Sequence, residues 1–353
     1  MTGDGTRFIK SITISDLATC EQAGSFLQSA MWGRFKSRFG WAASAFIVEW
    51  ADGGVRPLLV LSRRVAPGIS MAYIPWGPEF PAAFPSDPLL RSDAAAELVR
   101  TLRAFLPRAV AFIRIDPPWF VSGDNAPPLP MPFKRAAADI QPPDTVLVDL
   151  SPPAHDILSA MKPKWRYNIG LAEKRGVTVS CNDAVAKSGG QGINTFYQLL
   201  TETAERDGIA VHSAEYYRAL FEECPGLRLY IAEHEGVALA AIVALFRGRQ
   251  AVYLYGASAN AKRNLMAPYA LQWKAMQDAQ ACGCTVYDLF GIPPNEDPNH
   301  PMAGLYRFKT GFGGQIIHRP GSWDYPCSPA LYALFSGAEY LRKKVRDRWK
   351  RQG

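Results

Sequence analysis

Two copies of one order of helices and strands run along this chain, and they constrain its fold more than any other feature. Each copy is predicted as a helix, a meander of three antiparallel strands, a second helix and a closing strand. In the first half these elements are predicted near residues 21–39, 43–50, 55–62, 69–74, 89–106 and 110–115. In the second half they are predicted near residues 192–207, 227–233, 237–246, 250–255, 264–281 and 285–290, with an extra helix at 214–221.

The repeat indicates an internal duplication, and its element order is that of the GNAT acyltransferase fold. A chain of 353 residues is also longer than most single hydrophobic cores. We therefore predict an α+β protein of two tandem GNAT-like domains, over residues 1–147 and 148–316, with residues 317–353 returning to the first domain. Two unrelated α+β domains are the alternative.

The loop that follows each meander indicates which acyl donor the protein uses. Proteins of this fold that use acetyl-CoA hold its pyrophosphate in a glycine-rich loop before the next helix. The equivalent segments here, residues 77–81 and 258–264, lack paired glycines. The sequence therefore favours an acyl donor other than acetyl-CoA.

The basic charge of the chain is concentrated at its C-terminus. Residues 342–351 hold seven basic residues and one acid, against a formal net charge of +7 for the whole chain. Apolar residues recur every three or four positions from Leu331 to Trp349, which predicts a basic amphipathic helix. Such a helix suits an anionic membrane surface or tRNA phosphates, and its first half equally suits docking on the first domain.

Other sequence features argue against several classes of protein. The N-terminus lacks an apolar signal segment and no run of about eighteen apolar residues occurs, so neither export nor a membrane-spanning helix is expected. The six cysteines are scattered, and Cys282 and Cys284 are separated by one residue, which fits reduced thiols rather than a zinc or redox motif. The five histidines show no metal-binding spacing, so no metal is expected.

Seven motifs of the chain resemble, in the same order, those of the Fem (FemABX) aminoacyltransferases, whose two GNAT-like domains transfer amino acids from tRNA. The most distinctive is Met-Lys-Pro-Lys-Trp-Arg-Tyr-Asn-Ile at residues 161–169, followed by Ala-Glu-Lys-Arg-Gly-Val at 172–177. Another is Tyr-Ile-Pro-Trp-Gly-Pro at residues 73–78, and the others lie at 28–36, 141–145, 202–208, 255–258 and 304–314. Each motif alone is weakly specific, whereas the ordered set spans nearly the whole chain.

This resemblance implies a cytoplasmic enzyme that moves an amino acid from aminoacyl-tRNA to an amine of a peptidoglycan precursor, with no cofactor. The expected acceptor is UDP-MurNAc-pentapeptide or lipid II, and the expected product belongs to the interpeptide bridge. The basic C-terminal helix is the expected contact with the inner membrane surface. Some members carry a long charged coiled coil in the second domain, but this chain lacks the heptads for such an insertion.

The resemblance also assigns substrate contacts. Lys36 and Arg206 are expected at the phosphates of the acceptor, a role that suits a point charge and a forked guanidinium. Phe308 and Lys309 are the expected donor-side pair, with the ring on the terminal adenine and the cation at a phosphate or the developing oxyanion. The glycines at residues 311–314 are expected to permit close approach of a ligand. The plain alternative is solvated positions for the cations and core packing for Phe308.

Further residues have weaker assignments. Asp116 ends a predicted strand and is an auxiliary candidate for accepting the amine proton, after deprotonation assisted by the substrate itself. Asp288 has the same place in the second repeat, so an acid here also fits a requirement of the fold. Tyr216, Tyr217 and Tyr255 are predicted to line the substrate site with their hydroxyls, and packing explains them equally well.

Two other functions stay open from sequence. One is a transferase of the same fold that acts on another acceptor, such as an exopolysaccharide precursor or a protein N-terminus. The other is a tRNA-binding module without catalysis. The intact Arg-Phe-Lys at residues 307–309, and the absence of a lysine-rich surface outside the tail, argue against this second possibility.

Overall fold

The computed structural model describes residues 7–120, 129–182 and 191–352, with side chains up to residue 341. The chain packs as two units. Unit 1 comprises Met1–Pro143 and His318–Gly353, and unit 2 comprises Asp144–Ile317. These boundaries lie beside the predicted ones at residues 147 and 316.

The strands, in chain order, are β1 Ile9–Ser15, β2 Ala42–Trp50, β3 Val55–Ala66, β4 Ile69–Ile74, β5 Val110–Ile115, β6 Lys134–Arg135, β7 Thr145–Asp149, β8 Thr178–Asn182, β9 Leu227–His234, β10 Val237–Arg247, β11 Gln250–Ser258, β12 Val286–Asp288, β13 Gln315–Ile317 and β14 Trp323–Pro326. The α-helices are α1 Ala30–Ser37, α2 Pro88–Leu102, α3 Ala154–Ala160, α4 Pro163–Lys174, α5 Gln191–Asp207, α6 Ala214–Glu223, α7 Ala267–Ala281, α8 Ala303–Thr310 and α9 Pro329–Gln352.

Unit 1 is built on a seven-stranded sheet in the order β1-β2-β3-β4-β5-β14-β6. All neighbours are antiparallel except β4 and β5, which are parallel and joined through α2. Leu98, Val99 and Leu102 of α2 are fully buried in the core that includes β5. The helix packs on this sheet because its apolar residues recur every three or four positions and so lie on one face.

Unit 2 repeats this arrangement with the order β13-β7-β12-β11-β10-β9-β8. Again a single parallel pair, β11 and β12, is joined through a helix, here α7. Leu271, Ala275 and Ala279 of α7 are fully buried, four residues apart. The order β8 to β12 therefore matches β1 to β5, and the predicted fold of two GNAT-like domains is confirmed.

The first predicted helix is wrong as a continuous element. Residues 21–39 instead contain the end of one short 3-10 helix, a second 3-10 helix Phe26–Gln28, and α1. Ser25 and Ser29 interrupt the helix because both have extended backbones and accept hydrogen bonds as N-caps, from the backbone N–H groups of Leu27 and Trp32. The strands β1 and β8 at the sheet edges were not predicted.

The helix α9 lies on unit 1. Phe335 and Tyr332 pack on Phe112 of β5, with ring centroids 4.7 and 5.4 Å apart. Within the predicted apolar stripe Phe335 is buried, whereas Leu334 and Leu341 are 67% and 61% exposed. The backbone stays helical to Gln352, and the basic side chains of residues 342–351 lie outside the described part of the chain. Among the described helices, none is long and apolar enough to span a membrane.

Candidate functional site

Lys309 is a buried cation of unit 2. It lies in the last turn of α8 and is only 5% exposed. Its Nζ donates hydrogen bonds to the carbonyl oxygens of Phe290 and Gly291, at 3.1 and 2.9 Å. The same nitrogen lies 4.9 Å from the ring centroid of Tyr253 on β11. Lys309, predicted as a site residue, thereby contacts two further segments, β11 and the loop after β12.

Burial changes the acidity of this amine. It lowers the pKa of Lys309 to about 7, and the nearby carboxylate of Asp288 acts in the opposite direction. At neutral pH the ammonium and the free amine therefore coexist. Such a group can donate to a developing oxyanion or exchange a proton with a leaving hydroxyl.

The loop held by Lys309 has a constrained backbone. Phe290 has φ +56°, in the left-handed region that side chains other than glycine rarely occupy. Its N–H donates to Asp288 Oδ1 at 2.7 Å, and that carboxylate also accepts the hydroxyl of Thr145. Lys309 thus has a structural role in fixing this turn besides any chemical one.

Phe308 lies in an aromatic cluster and is half-buried. Its ring makes edge contacts with Tyr269 and Phe312, both at 5.2 Å between centroids. Its carbonyl oxygen accepts the indole N–H of Trp165 at 2.8 Å. Packing therefore uses much of this side chain, and stacking on an adenine stays a prediction for the part that is exposed.

The glycines that follow α8 serve packing within the protein. A Cβ on Gly313 would lie 2.6 Å from the carbonyl oxygen of Ala160, and one on Gly314 would lie 2.6 Å from that of Leu147. A Cβ on Gly311 would overlap the ring of Trp165. Their close approach is to α3, α4 and β7, which corrects the expectation of close approach to a ligand.

A bulge in β11 separates two tyrosines. Val243 of β10 pairs with Tyr255, and the next residue, Ala244, pairs with Tyr253. This skipped residue puts Tyr253 and Tyr255 on opposite faces of the sheet, although residues two apart normally share a face. Tyr253 faces Lys309, and Tyr255 faces Tyr217 of α6, at 5.2 Å between centroids.

The predicted substrate tyrosines are therefore apart from Lys309. Tyr216 is 6% exposed, its ring stacks on His212 at 3.8 Å, and it is hydrogen-bonded to Tyr255. Burial raises the pKa of both tyrosines. The structure gives each of them a packing role between α6 and β11, and a role in binding substrate stays a prediction.

Arg206, at the end of α5, is already engaged within unit 2. Its Nε and Nη2 donate to the carboxylate of Asp207 at 2.8 and 3.1 Å. Its Nη1 donates to the carbonyl of Ser258 and to Asn260 Oδ1, at 2.9 and 3.0 Å. Asp207 raises the pKa of the guanidinium. A phosphate at Arg206 would have to compete with this carboxylate.

Lys36 lies in unit 1, at the last turn of α1. Its Nζ is 5.5 and 5.7 Å from the ring centroids of Trp32 and Phe35. Burial, and then repulsion from Arg63, lowers its pKa to about 8. An anion beside this amine would relieve the repulsion and favour its charged form.

Arg63 is a cation of unit 1 that was not predicted as a site residue. Its guanidinium lies 4.4 Å from the ring centroid of Trp41, and burial and the neighbouring Arg114 lower its pKa. Arg114 is neutralised by Asp324 at 2.6 Å, whereas Arg63 makes no ion pair in the described part of the chain. Trp41, Arg63 and Arg64 line a cleft of about 420 Å³ in unit 1. This arrangement suits an anion.

Asp116 directly follows β5 in unit 1 and is 3% exposed. One carboxylate oxygen accepts the hydroxyl of Tyr73 and the other that of Ser322. Burial raises its pKa to about 6. Asp288 at the end of β12 accepts the hydroxyl of Thr145 in the same way. This agreement supports a requirement of the fold, and proton transfer by Asp116 stays a prediction.

Comparison with known proteins adds to this geometry. The model of the FemAB family matches residues 132–232 and 227–340. The chain is 24% identical over 394 residues to the lipid II:glycine glycyltransferase of Staphylococcus aureus (strain USA300), with 88% of this chain and 90% of that protein covered. The same enzyme of strain MRSA252 gives the same figures. The crystal structure of FemX superimposes with a TM-score of 0.75 at 21% identity, covering 92% of this chain and 100% of that one.

Proposed function

This chain belongs to the FemAB family, and from that premise we propose that it is an aminoacyltransferase acting in peptidoglycan bridge synthesis. The donor is aminoacyl-tRNA, and the acceptor is an amine of the stem peptide in UDP-MurNAc-pentapeptide or lipid II. The relatives named as lipid II:glycine glycyltransferases support both the reaction class and a peptidoglycan precursor as partner. No cofactor is required, because the ester of the donor is already activated.

The observation that carries the proposal is the position and acidity of Lys309. In the reaction the acceptor amine attacks the ester carbonyl, a C–N bond forms, and the C–O bond to the tRNA breaks. The amine loses a proton and the departing tRNA hydroxyl gains one. An amine with its pKa lowered to about 7 is suited to donate to the tetrahedral oxyanion or to protonate that hydroxyl. Phe308, the preceding residue, is assigned to the 3′ end of the donor.

The phosphates of the acceptor are assigned to unit 1. Lys36 and Arg63 repel each other, and a pyrophosphate would neutralise both. Arg206 is assigned a supporting role, because its guanidinium is occupied by Asp207 and Ser258. Asp116 is kept only as an auxiliary candidate for accepting the proton of the acceptor amine.

We place the enzyme in the cytoplasm, with peripheral attachment to the membrane through α9. Its exposed Leu334 and Leu341 precede the basic residues 342–351, and together they suit an anionic bilayer surface. A lipid-linked acceptor would then lie on the surface to which the enzyme is attached.

A product assay tests this function. The full-length protein is incubated with a mixture of labelled aminoacyl-tRNAs and with each precursor form, and products are identified by mass. The proposal expects the precursor mass to rise by one or more amino acid residues, only when charged tRNA is present. Transfer from another acyl donor, or to no peptidoglycan precursor, would contradict it.

A further inference from the structure

The helix α4 exposes a row of cations on the surface of unit 2. Lys162, Lys164, Arg166, Lys174 and Arg175 are all exposed, and Glu173 is the one acid between them. The opposite side of the helix is buried, through Asn168, Ile169 and Ala172. The sequence outside the C-terminal tail has nearly equal numbers of basic and acidic residues. The outer side of α4 nevertheless forms a basic surface. The expectation that no basic surface exists outside the tail is therefore wrong.

Within the described residues, these cations have no acidic partner. In the described part of the chain Lys164 and Lys174 make no ion pair, and the guanidinium of Arg166 donates to the carbonyl oxygens of Ser159 and Met161, at 2.9 and 2.6 Å. Arg175 likewise donates to a carbonyl, that of Asn264 at 2.8 Å. A row of like charges without acidic partners is the usual footprint of a polyanion.

The shape of the surface suits a nucleic acid. Lys164 and Lys174 are ten residues apart, or about 15 Å along the helix axis, which spans several phosphates of one strand. Tyr167, between them, is 66% exposed and offers its ring and hydroxyl to a ribose of an A-form stem. Gly170 lies on the same outer side, and nothing is within 4 Å of the position that its Cβ would take. The middle of the surface is therefore open.

The start of α4 is fixed to the donor-side residues. The N–H of Lys162 donates to the carbonyl of Gly311 at 2.9 Å, and the indole N–H of Trp165 donates to the carbonyl of Phe308 at 2.8 Å. The basic surface thus begins beside Phe308 and Lys309 and runs away from them along the helix. An RNA with its 3′ end at Phe308 would meet these cations next.

We propose that the outer face of α4 holds the acceptor stem of the donor tRNA, with phosphates at Lys164 and Lys174 and a ribose at Tyr167. This inference rests on the proposed function, because it takes aminoacyl-tRNA as the donor. The binding is electrostatic and independent of sequence, so it weakens as salt rises. Single-stranded 3′ nucleotides reach Phe308 without this surface.

The open position of Gly170 provides the sharpest variant. Gly170→Glu adds one negative charge in the middle of the surface without a steric clash, and Gly170→Gln is the matched control of equal size. We expect Gly170→Glu to weaken binding of uncharged tRNA at least five-fold at low salt, with Gly170→Gln close to wild type. Replacing Lys164 and Lys174 by glutamine should lower the slope of log Kd against log salt by about 1 to 2.

Turnover with two donors separates this surface from the reaction itself. With full-length aminoacyl-tRNA, Gly170→Glu is expected to raise the KM for the donor. With an aminoacylated dinucleotide, which lacks a stem, wild type and variant should have equal KM values.

Equal tRNA binding by Gly170→Glu and Gly170→Gln would overturn the inference, as would equal losses with both donors. Loss of binding to anionic phosphatidylglycerol vesicles, with tRNA binding unchanged, would assign the surface to the membrane instead. If wild type forms no product from any donor, the proposed function fails, and the tRNA titration still decides the surface.

Discussion

The Nζ of Lys309 lies 2.9 Å from the carbonyl oxygen of Gly291, so the last turn of α8 is tied directly to the loop after β12. With the carbonyl of Phe290 accepting a second hydrogen bond, the amine has one further hydrogen for another partner when it is charged. The residue assigned to chemistry is therefore also one that fixes its own surroundings. Experiments on Lys309 need to separate these two roles.

The free energy of unfolding should depend on pH because folding lowers the pKa of Lys309. The ordinary pKa of 10.5 applies to the unfolded chain, and burial lowers it to about 7 in the fold. Between these values the unfolded chain binds more protons, so this residue's contribution to the free energy of unfolding increases as pH rises from about 7 to about 10.5. Urea unfolding of wild type and Lys309→Met at several pH values measures it. A difference between the two that is independent of pH would contradict the buried, titrating amine.

Arg63 is expected to act on the acceptor rather than on the rate of the chemical step. Arg63→Met should raise the KM for UDP-linked precursor about ten-fold, or about 1.4 kcal/mol, with kcat nearly unchanged. Arg56→Met is the control, because Arg56 lies on the same strand and is not part of the cleft. Equal effects of the two substitutions would indicate general charge rather than a phosphate contact.

Asp116 is expected to stabilise the fold. Asp116→Ala leaves the buried hydroxyls of Tyr73 and Ser322 without their acceptor, which should cost about 1 to 3 kcal/mol in the free energy of unfolding. Maximal activity per folded molecule should stay near that of wild type. A large loss of kcat at a temperature where the variant is folded would instead support Asp116 as a proton acceptor.

Removal of residues 342–353 tests the basic tail. Tyr332 and Phe335 anchor α9 on unit 1, so the truncated protein should fold with a similar melting temperature. Its binding to anionic vesicles should weaken and lose most of its dependence on salt. Unchanged vesicle binding at low salt would exclude the tail as the attachment.

The strands and helices that repeat were predictable because their signals are local. The meanders and the helices α2 and α7 follow from periodicity and from glycine turns, and β4 and β5 were predicted with the observed bounds. The break at Ser25 and Ser29 was not predicted, because the apolar spacing across it continues. An N-cap inside an apolar run is easily read as a polar helix position.

The contacts of the site residues were less accessible to sequence. Arg206 looks like a free cation until Ser258 and Asn260 are brought to it by folding. Arg63 meets Trp41 only because β2 and β3 pair in register, with Ala42 opposite Ser62. The bulge in β11 separates Tyr253 from Tyr255, and Gly256 within the strand is the one local sign of it. The partners of each side chain thus depend on the folded structure, and the assignment of these residues to a substrate site stays a prediction.

The most direct test of the account is the maximal rate of Lys309→Met with aminoacyl-tRNA and precursor both saturating. Lys309 is assigned to charge that develops during reaction, so its loss should lower the rate constant by about 10²-fold or more, as for other lost oxyanion donors. A far-ultraviolet circular dichroism spectrum and a melting temperature, both measured on the same sample, establish that the variant is folded. A folded Lys309→Met protein is expected to keep substrate binding and to lose this rate, whereas a folded variant with a near-normal maximal rate would contradict the catalytic assignment of Lys309.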